Sequence, residues 1–132
     1  MIISASRRTD IPTYYSEWFF NRLKEEYVLV RNPMNIHQIS KISLSPNVVD
    51  GIVFWTKNPI PMLNRIAELK KYNFYFQFTL NAYGKDVEPK IPSKKEVIIP
   101  AFQKLSEIVG KERVVWRYDP IFFNKKYTVD YH

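Results

Sequence analysis

The sequence predicts an α/β fold: a partial (β/α) barrel of about four parallel strands, with helices on the outside and a β-hairpin insertion. Three observations predict it. Apolar runs of strand length alternate with helical stretches of about 12 to 17 residues, the rhythm of right-handed crossover connections. The three glycines, Gly51, Gly84 and Gly110, are dispersed, so no glycine-rich phosphate loop points to a Rossmann or P-loop fold. Two heptapeptides, "VFWTKNP" at 53–59 and "VVWRYDP" at 114–120, end apolar runs in the same way, with a Trp, polar residues and an Asx-Pro pair.

The first strand is "MIISAS", after which "RRTDIP" turns polar. "TYYSEWFFNRLKEE" reads as one helix, with Tyr15, Trp18, Phe19 and Leu23 on an inward i, i+3, i+4, i+8 stripe. Asp10 and Thr13 are candidate caps, and Pro12 suits the first turn. "YVLVRNP" and "HQISKISLSP" form the hairpin. "GIVFWT" is continuously apolar, as expected of a strand buried on both faces. Asn58 as cap and Pro59 at the first helical position open the next helix, with Leu63, Ile66, Leu69 and the stem of Lys70 inward.

"FYFQFTL" is the third main strand, followed by a polar loop. "SKKE" has capping-box form, with Ser93 as the cap and Glu96 reaching back. That helix runs to Val109 and stops at Gly110, a left-handed cap candidate. Pro100 within it predicts a kink or a late start. "RVVWRY" is the fourth main strand.

Composition bounds the function. An apolar fraction of 45% and an aromatic fraction of 16% exclude a disordered chain. No apolar run approaches the roughly 18 residues of a membrane span, and no secretory signal opens the chain, so the cytoplasm is the expected location. With no cysteine, these residues exclude disulfides, a Cys nucleophile and thiolate-held iron. His37 and His132 have no metal-ligand spacing, and His37 reads as a surface residue. The +7 net charge and pI near 9.6 favour anionic partners, although the basic residues are scattered.

In parallel β/α folds the ligand site lies at the C-terminal strand ends. All four main strands here end in polar residues, which cost stability unless satisfied. They should converge on one rim. The candidate binding residues are Ser6, Arg7, Arg8, Thr9 and Asp10 after the first strand, and Trp55, Thr56, Lys57 and Asn58 after the second. Gln77 and Thr79 follow from the third, and Arg117 and Asp119 from the fourth. Arginine forks suit carboxylate or phosphate, Trp55 and Trp116 could stack on a planar group, and Asp10 could orient the arginines. The Asx-Pro pairs are also ordinary loop chemistry. No catalytic residue is assignable.

The motifs "MIISASRRTDIP", "YVLVRNP", "SLSP", "VFWTKNP", "YFQFTLNAYGKDVEP" and "GKERVVWRYDPI" resemble, in this order, the N-terminal half of the domain-of-unknown-function 1848 family. The resemblance covers essentially the whole chain. It implies a bacterial or archaeal protein of about twice this length, with a C-terminal cysteine cluster like that of radical S-adenosylmethionine enzymes. A [4Fe–4S] cluster and S-adenosylmethionine are thereby expected for the full-length protein, and none in this segment. Residues 1–132 are accordingly expected to be a single half-barrel domain, the N-terminal fragment of a longer chain. That fragment would be inactive alone, its partner the remaining C-terminal half of the barrel. The substrate is expected to be a small or anionic molecule. Two alternatives stay open: a non-catalytic nucleic-acid-binding protein, and a barrel enzyme acting on a phosphorylated small molecule with Asp119 or Asp10 as acid or base.

Overall fold

The computed structural model describes residues 1–132. Its main sheet has four parallel strands in the order β1 (Ile2–Ser4), β4 (Gly51–Thr56), β5 (Phe74–Thr79) and β6 (Val114–Arg117). Between β1 and β4 lies a separate antiparallel hairpin of β2 (Tyr27–Asn32) and β3 (Asn35–Ser43). The mixed α/β architecture, parallel sheet and hairpin are those the sequence predicts. The sheet is open: β1 pairs only with β4, and β6 only with β5.

The stretch read as one helix forms two, α1 (Ile11–Tyr14) and α2 (Ser16–Glu25). At the break Ser16 Oγ donates to the Pro12 carbonyl at 2.5 Å, the back-bonding that interrupts a backbone ladder. The predicted inward stripe is half right. Phe19, Phe20 and Leu23 are buried, whereas Tyr15 and Trp18 are about half exposed, at 50% and 46%.

The helix after β4 is also shorter than predicted. Asn58 Oδ1 accepts from Ile60 N at 3.1 Å, one turn of α-helix, α3, spans Ile60–Leu63, and a 3-10 segment follows over Ile66–Lys71. Pro59 and Pro61 sit at the cap and in the first turn, where their missing N–H groups cost no ladder bond, and the chain continues with the tighter i→i−3 bonds Met62 N to Pro59 O and Arg65 N to Met62 O. Before the last helix, Ser93 caps a π turn over Lys94–Ile98, and α4 (Ile99–Val109) begins with Pro100 in its first turn. The helical stretch thus begins at Ser93, as the capping box predicts, and the π turn running unbroken into α4 stands in place of the kink or late start expected from Pro100. Gly110 ends α4 at φ +94°, where a side chain is strained, though its ψ of 141° is not that of a left-handed helical cap.

All the helices pack on one face of the sheet. Ile52 and Phe54 of β4 and Phe76 and Phe78 of β5 meet Phe19, Met62, Leu69 and Leu105 in one core. Phe54 stacks on Phe76 with centroids 4.8 Å apart, and Phe19 meets Phe54 edge-on at 5.4 Å. The opposite face is bare. Val53 and Trp55 are only partly buried, and Tyr75 and Val115 are exposed. This corrects the expectation that β4 is buried on both sides: alternate residues are covered and uncovered. No helix is long and apolar enough to cross a membrane.

Candidate functional site

The C-terminal ends of the four strands are joined by polar contacts. Asp10 follows β1 and caps α1, its Oδ1 accepting from Thr13 N at 3.0 Å. Its other oxygen accepts from the backbone N–H of Lys57 at 2.8 Å, just beyond β4. Thr13 Oγ1 donates to the Asn58 carbonyl at 2.8 Å, and buried Thr56 Oγ1 accepts from Asn58 N at 3.0 Å. Asp10, Thr56 and Asn58 thus staple the exit of β1 to that of β4. The Asp10 carboxylate is taken up by two backbone donors and orients no arginine.

Beyond β5 the loop folds back over the β4 exit. Lys57 Nζ pairs with Glu88, whose other oxygen accepts from Lys94 Nζ at 2.6 Å. Lys94 also donates to Asn81 Oδ1 at 2.7 Å and to the Tyr83 carbonyl at 2.6 Å. The Glu88 side chain is 8% exposed. Burial acts to raise its pKa, but the hydrogen bonds from Lys57 and Lys94 together outweigh burial and hold it below the usual carboxylate range. Asn81 Nδ2 extends the chain of contacts to the Asp119 carbonyl at 3.2 Å, beyond β6. Asp119 itself pairs with Arg117.

Glu88, Lys94 and Asn81 are absent from the set read out of the sequence. Their only local signal is a polar loop after a strand, and Glu88 lies 31 positions from the lysine it meets.

The predicted residues fall into three places. Asp10, Thr56, Lys57 and Asn58 form the stapled strand ends. Trp55, Gln77, Thr79 and Arg117 lie on the bare sheet face, where Trp55 is in register with Gln77, and Thr79 with Arg117. Arg7, Arg8 and Thr9 turn to the other side of β1, lining a cavity beneath α2 and the hairpin, where Arg8 Nη1 donates to the Arg31 carbonyl at 3.2 Å. Ser6 is buried by these turns, and its Oγ has no partner, nor does the enclosed Trp55 Nε1. Trp116 sits at the edge of the helix-covered face, with its indole donating to the Leu80 carbonyl at 2.8 Å.

Residues 118–132 close the β5 loop with aromatics. Buried Tyr83 stacks on Phe122 at 4.6 Å and meets Tyr127 edge-on, and its hydroxyl accepts from Phe122 N at 2.9 Å. The Tyr127 hydroxyl donates to Asp86, holding that carboxyl below its usual range. His132 Nε2 faces the Phe122 carbonyl, so it carries the proton, and Nδ1 accepts from the Tyr118 hydroxyl. His37 is exposed on the hairpin.

The two similar heptapeptides therefore end differently. Asn58–Pro59 starts a helical turn, whereas Asp119–Pro120 is a cis bond leading into irregular chain. Each of the rim carboxylates Asp10, Glu88 and Asp119 is already engaged by a donor. At the rim Lys57, Lys94 and Arg117 are each paired with a carboxylate, and none of these carboxylates is left without a donor.

The family model described as Domain of unknown function (DUF1848) matches residues 2–132 of the chain. No curated protein and no solved structure matches it.

Proposed function

The chain belongs to the DUF1848 family, and from that premise we propose that residues 1–132 form one arc of a (β/α) barrel whose strand-end rim binds an anionic small molecule. One observation carries this reading: the parallel strands follow chain order, β1-β4-β5-β6, with every helix on one face and a bare face leading to the joined strand ends. A doubly wound sheet reverses its order and covers both faces, whereas a barrel covers only the outside. The unpaired edges of β1 and β6 are where further barrel strands, the C-terminal half, would join. Lys57 and Arg117 would hold the anion, Gln77 and Thr79 would donate or accept hydrogen bonds, and Trp55 would stack.

The C-terminal cysteine cluster expected of the full-length family protein, similar to that of radical S-adenosylmethionine enzymes, extends this proposal to an iron–sulfur enzyme. The residues present do not fit a cluster: the chain has no cysteine, and no three His, Asp or Glu side chains gather to hold a metal. Thiolates would have to come from outside these residues, so the contribution proposed for this chain is binding alone.

Inorganic phosphate and S-adenosylmethionine, titrated separately into the isotopically labelled protein, test the reading. Chemical-shift changes should focus on the Trp55 indole and on the amides of Lys57, Gln77 and Arg117, and Lys57→Ala or Arg117→Ala should weaken them. Shifts scattered over surface lysines, or none, would overturn the rim assignment. Tight binding to a random DNA duplex that collapses with salt would instead favour the nucleic-acid alternative.

A further inference from the structure

The second site lies away from the bare face and does not depend on the rim, and it borders the same β1 edge to which the barrel reading assigns a further strand. A cavity of about 650 Å³ opens beside the unpaired edge of β1, between α2 and the hairpin. Its size is that of a small-molecule site. Of its 19 lining residues 13 are hydrophobic, among them Ile3, Phe19, Val28 and Leu44. Tyr15 and Trp18, which the helical stripe marks as core, are the half-exposed aromatics on its wall.

The charge on this cavity is one-sided. Arg7, Arg8, Arg22 and Arg31, four of the chain's seven arginines, line it, and no Asp or Glu does. None of the four is in a salt bridge, whereas Arg65 and Arg117 each pair with a carboxylate. Arg22 has its Nε buried without an acceptor, while its guanidinium lies 5.4 Å from the Tyr27 ring centre. Four like charges around an apolar hollow repel one another, and each leaves donors unused. An anion placed among them relieves both. An apolar body is needed to cover the aromatic and aliphatic walls.

We propose that this cavity binds an anionic amphiphile, a hydrocarbon body with one carboxylate or phosphate head, the head among Arg7, Arg8, Arg22 and Arg31 and the chain against Trp18, Phe19 and Val28. The same chemistry comes from a free fatty acid or from a phospholipid in a bilayer.

The experiment follows tryptophan fluorescence while dodecanoate, dodecyl phosphate, dodecyltrimethylammonium and neutral dodecyl maltoside are each added below micelle formation. Vesicles of phosphatidylglycerol and of phosphatidylcholine form the second arm. The two anionic amphiphiles should bind at least tenfold more tightly than the cationic and neutral ones. Trp18→Phe should remove most of the signal. Arg22→Gln with Arg31→Gln should weaken dodecanoate at least tenfold and leave dodecyl maltoside unchanged. Response to phosphatidylglycerol vesicles but to no monomeric anion assigns the head to a bilayer lipid, and the reverse assigns it to a free acid. Should the arginine variants fail to fold, the ranking of head groups on the unaltered protein decides. Affinity indifferent to head charge, a signal that survives Trp18→Phe, or no binding at all would overturn the proposal. The last of these would leave the cavity as a seat for polypeptide along the β1 edge.

Discussion

Replacing Glu88 by Gln tests whether the joined loops owe their closure to one buried carboxylate. The substitution keeps shape and removes charge. Glu88 is 8% exposed, while Lys57 and Lys94 are 38% and 20% exposed. A charge-assisted hydrogen bond contributes about 1.5–3 kcal/mol, which applies to the Lys94 contact. Lys57 is more than a third exposed, so solvent screening reduces its pairing to about 0–1 kcal/mol. Lys94 retains Asn81 Oδ1 and the Tyr83 carbonyl, which limits the loss further.

The expected destabilisation at pH 7 is thus about 1.5–3 kcal/mol, or a fall in Tm of roughly 5–12 °C for a domain of this size. The sign with pH follows from the depressed pKa of Glu88. On acidification the unfolded chain takes up the proton first. The contribution is therefore complete above the unfolded value, about 4.3, and is lost as pH falls through the lower folded value. Urea unfolding of both proteins at pH 7 and pH 3 measures the gap. Asp86 and Glu68 also titrate low but are common to both proteins, so their effects cancel in the difference. A gap below about 0.5 kcal/mol at pH 7, inside the range of an ordinary surface substitution, would refute the reasoning, as would a gap unchanged at pH 3.

Two further substitutions test the scaffold. Asp10→Ala removes a helix cap, about 1 kcal/mol, and the acceptor for Lys57 N–H, about 1–3 kcal/mol. Hydrogen exchange should show the amides of Thr13 and Lys57 losing protection together, and protection retained at Lys57 would sink the staple. Gly110→Ala should cost about 1–2 kcal/mol in thermal unfolding, chiefly because φ is +94°, and secondarily because the new Cβ would press on the movable Glu112 carboxylate. Adding Glu112→Ala should recover only the clash, so full recovery would show that the backbone is unstrained.

The strands were legible because their alternation is written in adjacent residues: Ile52, Phe54, Phe76 and Phe78 all fall to one face. Faces were less legible than strands. Val53 and Trp55 are as apolar as a doubly buried strand requires, and nothing local distinguishes a residue covered by a helix from one left bare. The same ambiguity placed Tyr15 and Trp18 in the core, where helical spacing is right but no neighbour packs over them fully. The Ser93 start was readable because a capping box is local, whereas the Ser16 break was not, since it needs the hydroxyl to choose the Pro12 carbonyl.

At the rim, the polar strand ends were visible but their pairing was not. Arg7 and Arg8 adjoin Asp10 in sequence, yet the carboxylate turns to Thr13 and Lys57 while the arginines line the cavity under α2. Lys57 looked free because its partner, Glu88, comes from a loop closed by long-range contacts with Lys94, Asn81 and Tyr83. This redistribution changes the chemistry open to the rim. Asp10, Glu88 and Asp119 each accept from N–H donors and keep further lone pairs, so these contacts fix the position of each carboxylate rather than exhaust its capacity. Recruiting Asp10 or Glu88 would break a contact that joins two strand exits, whereas the Asp119 carboxylate pairs with Arg117 of its own strand end. The barrel-enzyme alternative with Asp10 as acid or base therefore carries a structural cost, whereas an anion at the rim need only take the N–H groups that Lys57 and Arg117 do not give to Glu88 and Asp119.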